Sequence, residues 1–181
     1  MIQDLKAKFG NRCLTKTENR VALELYNYIL TYETIDSDYW ILGYGCDDVI
    51  NILERVFDSN GWNSLINDIE NWSLDQVELL SRSIITGEGS RRPDENDDVY
   101  NLIKNDTLIN RAYLIIKILD LNRKCETSLY VWENLDFLIK ISMLSKELTV
   151  KIVEKIGYYE YISLEGYNSE GLRVIEKLLQ E

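Results

Sequence analysis

The side chains in this sequence that could do chemistry are carboxylates, three thiols and a set of aromatic rings, with no histidine anywhere. Without an imidazole there is no Ser-His-Asp or Cys-His system, because the base that takes the nucleophile's proton is missing. The same absence removes H-E-x-x-H zinc sites and the Glu-x-x-His pairs of di-iron bundles. No Walker A loop and no G-x-G-x-x-G occurs; Gly87-Glu88-Gly89 sits in a polar stretch, not after a strand. Asp94, Glu95, Asp97 and Asp98 lack the spacing, the glycine and the terminal glutamate of an EF-hand, so they read as a solvated charge run. Cys13, Cys46 and Cys125 are far apart, odd in number and without a C-x-x-C, which fits reduced thiols in a cytoplasmic protein. The chemistry that survives is carboxylate-only hydrolysis, since an acid pair forms only in three dimensions. No catalytic residue, cofactor or metal is expected, and a role other than catalysis is favoured.

One constellation is suggestive. Between Glu33 and Glu78 there are eleven acids and one base, Arg55, which places −10 of the chain's −11 net charge in one quarter of its length. Tyr39, Trp40, Tyr44, Trp62 and Trp72 lie among those acids. Rings fill pockets at the centre of an interface while charges speed encounter and reject wrong partners. Trp62 and Trp72 are better explained as core, because indoles are usually largely buried. Trp40 and Tyr44, in a glycine-containing stretch that reads as loop, are the better interface residues. The candidate partner-binding set is therefore Asp36, Asp38, Tyr39, Trp40, Tyr44, Asp47 and Asp48. The partner it suits is a basic protein. Nucleic acid and anionic membrane are disfavoured, because both demand cations.

These residues need elements to position them. Proline occurs once, at Pro93, and apolar residues recur with helical spacing along most of the chain. The longest such run, Asn105 to Leu121, places Leu108, Ala112, Ile115, Ile116 and Leu119 on one stripe, with Asp106 or Thr107 as its cap. Arg111 and Lys117 interrupt it, and no run reaches the length of a membrane span. Thr15-Lys16-Thr17-Glu18 and Ser73-Leu74-Asp75-Gln76 both match the capping box, S/T-x-x-E/Q, that opens a helix. Behind the first, Ala22, Leu25, Tyr26, Ile29 and Leu30 form a stripe. A further helix opens at Asp47 and Asp48 and closes at Asn60-Gly61, and one more runs from about Ser128 to Leu144. Residues 86–98 are the most polar and predict an exposed loop; Gly157 to Asn168 reads as a tyrosine-rich connection before a last helix. The expectation is a single all-α domain over 1–181, an irregular helical bundle or short HEAT-like α-solenoid of about 7–9 helices.

Two segments, NWSLDQVELLSRSII (71–85) and NDTLINRAYLIIKIL (105–119), look alike and start about one helical repeat apart. The second, with Asp106, Arg111 and Ala112, resembles the second helix of HEAT-type repeats, although the proline usual in such repeats is missing. In size, acidity and helical character the chain also resembles the small helical immunity proteins encoded beside bacterial toxins. That resemblance implies an intracellular protein that neutralises a cognate toxin. It carries no residue roles. A helical-repeat scaffold or adaptor is the alternative.

Overall fold

A computed structural model describes residues 1–89, 97–121, 123, 125–156, 173, 176 and 177, and for 97–106 the backbone alone. Among these residues there is no strand, and the chain runs through ten α-helices. They are α1 (Ile2–Phe9), α2 (Arg20–Tyr32), α3 (Ser37–Ile41), α4 (Tyr44–Val56), α5 (Ser59–Asp68), α6 (Leu74–Thr86), α7 (Asp97–Asp120), α8 (Thr127–Glu133), α9 (Leu135–Ser142) and α10 (Lys146–Ile156). The all-helical expectation holds. α3 is a short turn of helix within the stretch 33–45, which reads as loop with room for one such turn, and the helix expected over 128–144 divides at Asn134, where the backbone leaves helical dihedrals.

The core is one cluster of buried side chains fed by every helix. On α2 the expected stripe of Ala22, Leu25, Tyr26, Ile29 and Leu30 is buried in full. On α10, Leu148, Ile152, Val153 and Ile156 are buried in the same way. Burying each such aliphatic side chain stabilises by about 1.5–3 kcal/mol. α7 is a single unbroken helix, so Thr107 lies well inside it and is not its cap. It packs against α4, α5, α6, α8, α9 and α10. The polar loop expected near 86–98 lies largely outside the described residues, as does the tyrosine-rich connection after Gly157.

The two capping-box patterns have different outcomes. Ser73 caps α6 as expected: its hydroxyl accepts from the Gln76 backbone N–H, and Gln76 Oε1 accepts from the Ser73 N–H. The first pattern does not open a helix at Thr15. α2 begins at Arg20 with Asn19 as its cap, Oδ1 accepting from Val21 and Ala22. Thr15 is instead buried, and its hydroxyl donates to the Asp68 carboxylate. Asp68 also accepts from the Lys16 and Thr17 backbone N–H groups, from Asn71 Nδ2 and from the Trp72 indole N–H at 2.9 Å. Beside it, the Tyr26 hydroxyl accepts from Leu14 N–H at 2.8 Å and lies 3.0 Å from Gln76 Oε1, while Gln76 Nε2 donates to the Arg12 carbonyl. These three polar side chains tie residues 12–17 to α2, α5 and α6. Asn60-Gly61 does not end a helix either; Asp58 caps α5, and its carboxylate accepts from the Gly61 N–H at 2.7 Å.

At the far end of α6 from Gln76, Arg111 of α7 is the one basic side chain buried among the described residues. It donates to the Ile84 carbonyl at 2.6 Å and the Gly87 carbonyl at 3.2 Å, and its guanidinium lies 5.5 Å from the centre of the Phe137 ring. Those carbonyls sit at the C-terminal end of α6, where helix backbone lacks intrahelical donors. Burial pushes the Arg111 guanidinium down to about 10.

Candidate partner-binding surface

The seven residues singled out from the sequence come together at a corner made by the end of α2, all of α3 and the start of α4. Asp36 caps α3, its Oδ1 accepting from the Asp38 N–H at 3.2 Å. The chain then reverses at Gly43, whose φ of 93° is a left-handed conformation that costs a residue with a Cβ about 1 kcal/mol or more. α4 follows at once. Gly45, in its first turn, lies against the Trp40 ring, and a Cβ there would sit 2.6 Å from Trp40 Cε3.

That close approach decides the fate of Trp40. The indole is 4% exposed, and its N–H donates to the Tyr32 carbonyl at 3.2 Å. Trp40 therefore supports the corner from beneath and presents no ring to a partner, which corrects the expectation placed on it. Trp62 and Trp72 are buried as well. Over Trp40 lies a layer of tyrosines: Tyr28 and Tyr32 from α2 meet at 4.6 Å, Tyr32 and Tyr39 stack at 5.3 Å, and Tyr39 and Tyr44 lie 6.5 Å apart. The Tyr28 and Tyr39 hydroxyls are 2.6 Å apart, and each lies within 3.0 Å of Asp48 Oδ2. Two hydroxyl protons thus serve three oxygen contacts around one carboxylate. Burial first, then the hydrogen bond to Asp48, pushes the Tyr39 hydroxyl above its ordinary range, and burial does the same for Tyr28.

Several large side chains of this corner are exposed. Ile35 is 43% exposed, Ile41 56%, Leu42 67% and Tyr44 63%, four large side chains in ten residues. Asp36, Asp38 and Asp48 are exposed as well. Asp47 is only half-buried at the rim and is engaged, its Oδ1 accepting from the Glu88 and Gly89 N–H groups. A cleft of about 250 Å³ runs from Ile35 and Ile41 down to Glu78, Arg82 and Tyr130. A second, more open groove of about 530 Å³ between α2 and α4 is lined by Glu24, Tyr28, Asp48, Asn51, Ile52, Arg55 and Val56. No known protein family, curated protein or solved structure matches this chain.

The acidic excess of the segment is only partly a surface property. Asp68 is buried, Asp36 and Asp58 are helix caps, Asp47 holds a loop, and Glu33 pairs with Arg12. Sequence reasoning missed Ile35, Ile41 and Leu42, although the run Trp40-Ile41-Leu42 before Gly43 was a visible signal: consecutive apolar residues in a five-residue helix cannot all face inward. It also missed Tyr28 and Tyr32, which α2 turns toward the tyrosine layer rather than the main core.

Two carboxylates approach Tyr130, and one of them, Glu78, lines the cleft. The Tyr130 hydroxyl lies 3.4 Å from Glu78 Oε1 and 3.2 Å from Glu126 Oε2. Burial raises the Glu78 carboxyl above the ordinary carboxylate range. Arg82 lies 5.5 Å from the Tyr130 ring centre and offsets part of the negative charge. No group of three or more Cys, Asp or Glu side chains among the described residues is arranged to hold a metal ion.

Proposed function

We propose that this chain is an intracellular protein-binding protein whose α3 corner docks a basic protein partner, and that it acts as an immunity protein by occluding a toxin. The observation that carries the reading is the exposure of four large side chains, Ile35, Ile41, Leu42 and Tyr44, within ten residues that also expose Asp36 and Asp38. Single exposed apolar side chains are ordinary, but several in one short segment that also exposes carboxylates favour an interaction face. The missing imidazole chemistry and the acidic balance agree with a role in binding rather than catalysis. No helix among the described residues is long and apolar enough to cross a membrane, which agrees with a protein partner rather than a bilayer.

The test uses the protein encoded beside this chain in its genome. Wild-type chain binds that product and restores growth of cells expressing it, and Leu42→Asp abolishes both while unfolding at the same denaturant concentration as wild type. Undiminished binding by a folded Leu42→Asp, Tyr44→Ala double variant would remove the α3 corner as the interface. A helical scaffold is the second reading, favoured by the open α2–α4 groove. It predicts that Val56→Asp, in the groove, weakens binding more than Leu42→Asp does.

A further inference from the structure

We propose that Tyr44 and Asp48 together receive an arginine side chain of the partner, an inference that rests on the α3 corner being the binding face. The two residues are one turn apart on α4, so their Cβ atoms share one face about 5–6 Å apart. Both border Tyr39, whose ring lies 6.5 Å from that of Tyr44 and whose hydroxyl is 3.0 Å from Asp48 Oδ2. Tyr44 is 63% exposed, so much of its ring meets solvent. Asp48 is exposed but not loose: the Tyr28 and Tyr39 hydroxyls both approach Oδ2 and hold the carboxylate in one orientation. A carboxylate has about four acceptor positions, so Oδ1 keeps its own for an incoming donor. Asp48 makes no ion pair among the described residues.

A fixed carboxylate beside an exposed ring suits a guanidinium better than an ammonium. The guanidinium is planar, stacks on the ring, and donates N–H groups in its own plane to the carboxylate at the same time. An ammonium is a compact charge with no plane to stack. The surroundings favour a cation from outside. Asp36 and Asp38 lie on the same corner, and Arg55, which lines the groove beyond Asp48, is the only base between Glu33 and Glu78. A second copy of this chain is a poor occupant, because it would bring another net charge of −11 to a face that already bears carboxylates.

The probe is the blocked tripeptide acetyl-Gly-Arg-Gly-amide, titrated into the full chain and followed by backbone amide NMR shifts. The lysine and citrulline tripeptides serve as comparators. The arginine peptide shifts Tyr44 and Asp48 and saturates at millimolar concentration; lysine binds about threefold or more weaker, and citrulline leaves the signals in place. Asp48→Asn keeps an oxygen for the two tyrosine hydroxyls and so keeps the corner folded, but lowers arginine affinity about fivefold or more. Equal shifts from arginine and citrulline, or an unchanged affinity in a folded Asp48→Asn variant, would overturn the proposal. If these fail while Leu42→Asp still abolishes binding of the neighbouring gene's product, the arginine site falls and the apolar corner stands.

Discussion

Replacing Asp68 by alanine should be among the most damaging single changes in this chain, although Asp68 is an acid in an acid-rich segment. The carboxylate accepts from Thr15, Lys16 N, Thr17 N, Asn71 and Trp72. Thr15 is 1% exposed and Trp72 is 2% exposed, so neither donor can turn to water once its acceptor is gone. Each buried unsatisfied donor costs about 1–3 kcal/mol. The two together place the loss at about 2–6 kcal/mol, a large fraction of the roughly 5–15 kcal/mol that holds a domain folded. Lys16 is exposed and Thr17 half-buried, so water replaces much of what their backbone N–H groups lose. Asp68→Asn keeps the volume and one acceptor oxygen but turns an amide N–H toward existing donors, so its cost falls between wild type and alanine. Urea unfolding followed by far-UV circular dichroism measures all three, with unchanged slope showing that the midpoint reports stability. If the alanine variant lies within about 0.5 kcal/mol of wild type, the range of an ordinary surface substitution, then the network does not hold residues 12–17 in place.

Other outcomes follow from the same geometry. Leu42→Asp and Tyr44→Ala, at positions more than half exposed, should change stability by less than about 0.5 kcal/mol in the same urea assay. Gly45→Ala should gain about 1 kcal/mol of helix propensity and lose more than that by displacing Trp40, for a net cost of about 1–3 kcal/mol. Its fluorescence should shift to the red, and Trp40→Phe in the same background should abolish that shift. Burial pushes the Tyr26 hydroxyl up to about 12, so the folded chain keeps a proton that the unfolded chain loses near 10. The stabilisation is complete below pH 10 and is lost as pH rises from 10 toward 12, on the order of 3 kcal/mol for this fully buried group, and Tyr26→Phe should flatten that fall in urea midpoints taken from pH 8 to 12.

The helices were legible where local pattern and tertiary packing agree. Ser73 to Gln76 opens α6 because both partners of its cap are within the same turn, and the α2 and α10 stripes are buried because 3.6-residue spacing alone sets one face inward. The pattern misled where a distant residue competed for the same atom. Thr15 matches a cap in sequence, yet its hydroxyl is taken by a carboxylate 53 residues away. The candidate surface was half legible. Charge counting drew attention to the segment that folds into the corner, and Tyr44, Asp38 and Asp48 are exposed there. It could not separate acids that face solvent from acids that cap helices or sit in the core, because composition carries no direction. Trp40 was misplaced for a related reason. Whether an indole in a short helix points in or out depends on the room left by Gly45 in the next helix, and that pairing has no signature in the linear chain.

The corner is held together by contacts of its own. Tyr28 and Tyr39 clasp Asp48, Trp40 is wedged over Gly45, and Asp36 caps the single turn that carries Ile41 and Leu42. A surface braced in this way has less conformational freedom to surrender on contact than a flexible loop, which gives up about 0.5–1.5 kcal/mol for each rotamer-rich side chain. Association at this face should therefore be a single concentration-dependent step with no slower rearrangement behind it. Its selectivity among cationic partners would come from fit against a fixed shape rather than from adaptation to whatever arrives.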